Sequence, residues 1–223
     1  MTTLQDNDTL LRELVRSPRL RLLADEIGQV LDHERDARAR FYDTMTEGDK
    51  VEFINGEVVV QSPVKIEHNR AGKLLLRLLD TFVDVHGLGY VGNEKMLISL
   101  TRNDYEPDIC FWERAKSDAF QLGQMRFPAP DFIAEVLSPS TEAVDRGVKL
   151  EDYAAHGVRE YWLVDPIAEV VEQYVLNGDR YELRLKVHDG TLASVVVPGF
   201  APPVRAIFDE QANLAALRAI LAA

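Results

Sequence analysis

Two carboxylates in this chain lie where a folded protein would avoid placing them. Asp108 opens the apolar run DICFW, and Glu135 lies inside FIAEVL. Both runs are short, bounded by Pro or Ser-Pro and rich in Ile, Val and aromatic residues, as strands buried on both faces are. A charge in such a strand is costly unless it is paired or binds a metal. If the two strands are neighbours the acids converge, and two unit charges about 4 Å apart repel by about 4 kcal/mol at an effective dielectric of about 20. The pair then needs a cation, a shared proton or a basic partner. Lys149, fourteen residues after Glu135, supplies a positive charge. Hard divalent ions take one or two carboxylates plus waters and phosphates, so Asp108 and Glu135 suit Mg²⁺ or Mn²⁺ as metal ligands better than zinc. A metal held there would lower the pKa of a bound water and stabilise the charge of a phosphorane-like transition state. Lys149 could orient that water or offset the charge, and Glu52 could complete the shell or position a second ion.

Plainer readings of the same residues exist. Asp108 could cap a strand end and Glu135 could be a buried salt-bridge partner. Asp145 and Lys149 lie four apart on one helix face, where pairing is worth about 0.3–0.5 kcal/mol. His68 reads as a packing or surface residue of its helix rather than as a base. Ser138 lacks the Gly-x-Ser-x-Gly surroundings of a nucleophile elbow. Trp112 and Trp162 read as core, and Cys110, the single cysteine, as inert packing. One cysteine excludes a disulfide framework or a Cys-based zinc site within one chain.

The elements that would position these groups follow from periodicity and punctuation. Residues 9–16 read as a short helix, with Ser17-Pro18 as cap and first helical position of the next. From Arg19 to Tyr42, Leu20, Leu23, Ile27, Val30 and Leu31 recur at helical spacing, a stripe that packs on the main domain or on a second copy. Lys50 to Gln61 carries Asn-Gly between two strand-like arms, a strong hairpin signal. A helix over Ile66–His86 stops at Gly87, and strands follow at 89–93 and 95–100. The Asp108 strand, a polar loop over 114–130 and the Glu135 strand come next, then one helix from Thr141 to His156 ended by Gly157. A strand over 159–165, a second Asn-Gly hairpin and an Ala/Leu-rich helix over 208–223 complete the chain. This alternation predicts an α/β fold with a mixed sheet flanked by helices.

The 223 residues can bury a sizeable core. The expected organisation is an N-terminal helical extension over 1–45, a main domain over 46–207 and a C-terminal helix over 208–223. No apolar run approaches the roughly 20 residues of a membrane span. The polar, acidic start lacks a signal-peptide pattern, so a cytoplasmic protein is expected. A net charge of −12, from 25 Lys and Arg against 37 Asp and Glu, disfavours nucleic-acid binding by bulk electrostatics. It leaves room for a local basic rim around an acidic, metal-binding cleft.

Several motifs together resemble one family. They are Pro107-Asp108, Pro130-Asp131 leading into Glu135-Val-Leu-Ser-Pro-Ser-Thr, Asp145, Lys149, Tyr153, Gly157-Val158 and Tyr161-Trp-Leu-Val-Asp-Pro166. With the EFINGE hairpin and His68, they resemble the Uma-type family of bacterial restriction-endonuclease-like proteins, within the PD-(D/E)XK nuclease superfamily. The likeness runs from about Gly48 to about Phe200. It implies a restriction-endonuclease-like αβββαβ core and a Mg²⁺-dependent endonuclease acting on DNA. Asp108 and Glu135 fall on the family's two acids, and Glu52 on its additional acid. The superfamily lysine two residues after the second acid is replaced here by Leu137, and Lys149 on the next helix takes its part. Double-strand cutting of this type implies a homodimer. The alternative is a catalytically silent nuclease fold kept as a binding or assembly module.

Overall fold

The computed structural model describes residues 7–222 apart from Glu47 and Asp49. The first six residues of the expected N-terminal extension, and Ala223 of the expected C-terminal helix, lie outside the described residues. Two helices, α1 (Asn7–Arg16) and α2 (Leu20–Thr44), precede the hairpin β1 (Val51–Ile54) and β2 (Glu57–Val60). Helix α3 (Ile66–His86) leads to β3 (Gly89–Asn93), β4 (Leu97–Ser99), β5 (Asp104–Tyr105) and β6 (Ile109–Glu113). The short α4 (Arg114–Ser117) and β7 (Arg126–Phe127) come before β8 (Phe132–Val136), α5 (Glu142–Asp145) and α6 (Val148–Ala155). Strands β9 (Glu160–Asp165), β10 (Val170–Asn177) and β11 (Arg180–Val187) are followed by a 3₁₀ turn at Val204–Ile207 and α7 (Glu210–Leu221).

The strands form two mixed sheets, in the orders β2-β1-β5-β4-β7 and β11-β10-β9-β8-β6-β3. The expected mixed α/β architecture flanked by helices is therefore present, with its strands divided between two sheets. The first hairpin closes where Asn-Gly predicts, since Asn55 and Gly56 both have positive φ (51° and 89°), as a type I′ turn requires. Helix α3 ends at Gly87 in the left-handed conformation, φ 60°, the usual device for satisfying the last carbonyls.

The central strands of the larger sheet, β6, β8 and β9, are buried on both faces, and strand alternation sorts their side chains. Ile109, Phe111, Phe132, Ala134 and Val136 face Leu75, Leu78, Leu79 and Phe82 of α3. Cys110, Trp112, Ile133 and Leu137 join the opposite core with Tyr105, Tyr153 and Tyr161. Strands β6 and β8 are antiparallel with Ile109 opposite Ala134. One step further along that register brings Asp108 beside Glu135, on the face that looks toward α6.

Three expectations change in detail. The single helix over 141–156 is broken into α5 and α6 at Gly147, whose φ/ψ of −111°/−105° is not helical. A Cβ there would lie 2.7 Å from the carbonyl oxygen of Ala143, so only glycine lets the chain turn this closely. The polar loop over 114–130 contains α4 and β7, because Phe120 and Phe127 close over Trp112 at ring-centroid distances of 5.2 and 5.7 Å. The strand expected at 95–100 shortens to β4 and pairs in the smaller sheet. Helix α2 docks its C-terminal half on that sheet. Phe41 stacks on Phe53, and Arg38 Nε donates to buried Asp104 Oδ2 at 2.6 Å. Among the described residues no helix is long and apolar enough to cross a membrane.

Candidate active site

The structure brings the four residues singled out by sequence, Glu52, Asp108, Glu135 and Lys149, into one buried cluster. Asp108 sits just ahead of β6 and Glu135 in β8. Each side chain is tied to the other's strand segment: Asp108 N donates to Glu135 Oε2 at 3.2 Å, and Val136 N, next to Glu135, donates to Asp108 Oδ2 at 2.9 Å. Glu52 reaches in from β1, with its Oε1 accepting from Glu106 N at 3.0 Å and its Oε2 from Gln61 Nε2 at 2.8 Å.

Lys149 enters from the first turn of α6. Its Nζ lies 2.9 Å from both Glu52 Oε1 and Glu135 Oε1, and 3.3 Å from Asp145 Oδ1. It is therefore the centre of a buried four-residue network, not a surface partner of Asp145 alone. Leu137, which shares the face of Glu135, is buried in the tyrosine-rich core, so the ammonium approaches from the helix instead of the strand. Residues 145, 149 and 153 line one side of this corner, and Tyr153 Oη donates to Glu135 Oε1 at 3.2 Å.

Three further residues complete the cluster. Lys50 Nζ lies 3.0 Å from Asp108 Oδ1, and His68 Nε2 lies 3.2 Å from Asp108 Oδ2. His68 thus faces the acid pair, whereas its helix position alone suggested packing. Glu106, whose carboxylate accepts from Val51 N, lines the same cleft. Lys50 carries no sequence signal beyond its place just before the acid-bearing hairpin, whereas His68, in the first turn of α3, is among the residues that carry the family resemblance.

The electrostatics follow from burial and count. Burial pushes the Glu135 carboxyl up, the Lys149 charge pulls it back in part, and Asp145, Asp108 and Glu52 raise it further. Burial also acts on Asp108, but His68 and Lys50 outweigh it and hold that carboxyl well below the usual range. Burial would depress Lys149, yet Glu135, Glu52 and Asp145 overwhelm that effect and keep it a permanent ammonium. Five clustered carboxylates, Glu52, Glu106, Asp108, Glu135 and Asp145, face two lysines and one histidine, and Asp145 Oδ1 is buried with the Lys149 ammonium 3.3 Å away. The excess is negative and all-oxygen. Among the described residues no three His, Cys, Asp or Glu side chains gather closely enough to cage a metal ion unaided. Two carboxylates open to a cleft are the donor set that Mg²⁺ accepts, because it keeps waters and substrate oxygens in its remaining positions. The residues present therefore fit such an ion.

A cleft opens over the cluster, lined also by Lys65, Ser138 and Thr141. A second, smaller hollow meets it at His68 and Asp108 and is lined by Asn69, Lys73 and Asn93. The α5–α6 corner that carries Lys149 is clamped to β10 by Arg146, whose Nη1 donates to Glu172 Oε2 at 2.7 Å, with Lys186 and Tyr174 on the same carboxylate. Burial would raise Glu172, but these hydrogen bonds outweigh it and bring its pKa down to about 2 from 4.5. A depressed carboxylate stabilises the fold above its unfolded pKa and loses that contribution as pH falls through its folded one. Acid should therefore weaken this clamp between about pH 4.5 and 2. With solvent screening at Arg146 and Lys186, the loss is about 1–2 kcal/mol. Melting curves of the native chain and of Glu172→Gln across that window check it. The native protein should lose more stability than the variant.

A crystal structure of a "putative nuclease" from Anabaena variabilis superimposes with a TM-score of 0.65 over 75% of this chain and 94% of that one, at 17% sequence identity. The chain belongs to the Uma2 family, described as "Putative restriction endonuclease", whose pattern matches residues 38–206. The match takes in the docked C-terminal end of α2 and the whole cluster. Two uncharacterized proteins of Synechocystis sp. are also similar. One is 32% identical over 135 residues, covering 59% of this chain and 75% of the relative. The other is 30% identical over 137 residues, covering 59% and 68%.

Proposed function

We propose that this protein is a divalent-cation-dependent endonuclease that hydrolyses DNA phosphodiester bonds. The observation that carries the reading is the position of Glu135: a carboxylate in the middle of a buried sheet, beside a second carboxylate and under an open cleft. Asp108 and Glu135 would hold Mg²⁺ or Mn²⁺. Bound there, the ion supplies a water of lowered pKa and a positive charge opposite the phosphoryl oxygens. Lys149, charged at all working pH values, acts as a hydrogen-bond donor and counter-charge, fixing Glu135 Oε1 and Glu52 Oε1 rather than accepting a proton. Glu52 in turn holds the Glu106 backbone, and so the chain two residues before Asp108, in place. Cutting both strands takes two such sites, so a homodimer is part of the proposal and sedimentation checks it.

Supercoiled plasmid incubated with the protein and Mg²⁺ or Mn²⁺ tests the activity directly. Nicked or linear product that disappears with a chelator is the expected result. A rival reading, a silent nuclease fold that serves as a binding or assembly module, draws support from the net charge of −12 and from the lysines already seated on the acids. It predicts intact plasmid under every metal condition.

A further inference from the structure

We propose that Lys50 is an exchangeable counter-ion, which holds Asp108 in the metal-free protein and must leave when a divalent cation binds. The inference rests on the cation site proposed above and adds a residue to its control. The donors around the acid pair are unequal. Asp108 Oδ2 is held by the Val136 amide at 2.9 Å and lies 3.2 Å from His68 Nε2. Glu135 Oε1 is held by Lys149 at 2.9 Å and Tyr153 at 3.2 Å. Asp108 Oδ1 is the oxygen whose partner is Lys50 Nζ, at 3.0 Å.

A cation reaching Asp108 Oδ1 therefore meets an ammonium already there, and both cannot share one oxygen at close range. Lys50 is the donor built to yield. Its side chain is 22% exposed, against 4% for Lys149, and it lines the open cleft. Its backbone is fixed, since Gln61 N donates to Lys50 O at 2.9 Å beside the first hairpin, so the side chain can swing without disturbing β1. Lys149 by contrast touches three buried carboxylates and cannot leave without stranding all of them. The partly exposed Lys50 ammonium thus keeps Asp108 Oδ1 paired until the ion arrives.

The test is Mn²⁺ affinity of the full chain, read from the free-ion electron paramagnetic resonance signal, for the native protein, Lys50→Met, Lys50→Gln and Lys65→Met. Lys65 lines the same cleft and controls for the loss of one positive charge nearby. Lys50→Met should bind Mn²⁺ about tenfold more tightly, the scale on which groups behind the ligands tune metal affinity. Lys50→Gln should do the same, and Lys65→Met should leave the affinity within about twofold of native, since charges at a solvated cleft are strongly screened. Unchanged or weaker binding in both Lys50 variants, or equal tightening in Lys65→Met, overturns the counter-ion role while the native affinity leaves the cation site standing. No Mn²⁺ binding by the native protein or by any variant overturns the cation site and the counter-ion role with it.

Discussion

Asp108→Asn is expected to abolish metal-dependent cleavage of DNA, a loss of at least about 10²–10³-fold of the kind seen when one preorganised electrostatic group is removed from an active site. The substitution keeps the shape of the side chain and can still accept from the Val136 amide, so the sheet register that pairs Ile109 with Ala134 should survive. What it removes is the charge that Lys50, His68 and a bound cation all answer. Asp108 is held ionised by His68 and Lys50 against the effect of burial, so the asparagine changes the site at every accessible pH. Plasmid cleavage, with folding checked by circular dichroism, measures it. A folded Asp108→Asn protein that cuts at the native rate would remove Asp108 from the mechanism.

Lys149→Met should destabilise the fold by about 3–5 kcal/mol, since it breaks a buried ion cluster from the cationic side. The variant leaves Glu52, Glu135 and Asp145 without the ammonium they share at 2.9, 2.9 and 3.3 Å. For a chain of this size that corresponds to a fall in Tm of about 10 °C. The mechanism of the loss is open to a second check. If it comes from uncompensated carboxylates, Lys149→Met combined with Glu135→Gln should be more stable than Lys149→Met alone, a coupling that only interacting neighbours show. Additive losses would place the effect in packing instead.

What could be seen in the sequence was set by chemistry that violates its surroundings. Asp108 and Glu135 stand out because each interrupts a run otherwise suited to a core, and the antiparallel register of β6 and β8 makes them neighbours as the interruption implies. Lys149 could be tied to Asp145 by helical spacing, yet nothing in the spacing revealed that Glu52 and Glu135 close around it. Lys50 and His68 violate nothing locally: one is a lysine beside a turn and the other a polar residue in an amphipathic helix. They join the site only because the β1–β2 hairpin and the start of α3 fold over the mouth of the sheet. The break at Gly147 escaped for a related reason, since a single glycine inside a helical pattern is tolerated unless a carbonyl lies under its missing Cβ. Periodicity likewise cannot apportion strands between sheets, and the division into a five-stranded and a six-stranded sheet emerges only from tertiary pairing.

The central claim is that the Asp108–Glu135 pair holds a divalent cation. Calorimetric titration of the native protein and of Glu135→Ala with Mg²⁺ and Mn²⁺, in the presence of a short DNA duplex to complete the ligand shell, tests it most directly. The account predicts saturable binding by the native protein that disappears in Glu135→Ala while circular dichroism shows the variant folded. Binding that persists unchanged in the folded variant, or no binding by the native protein even with DNA present, would contradict it.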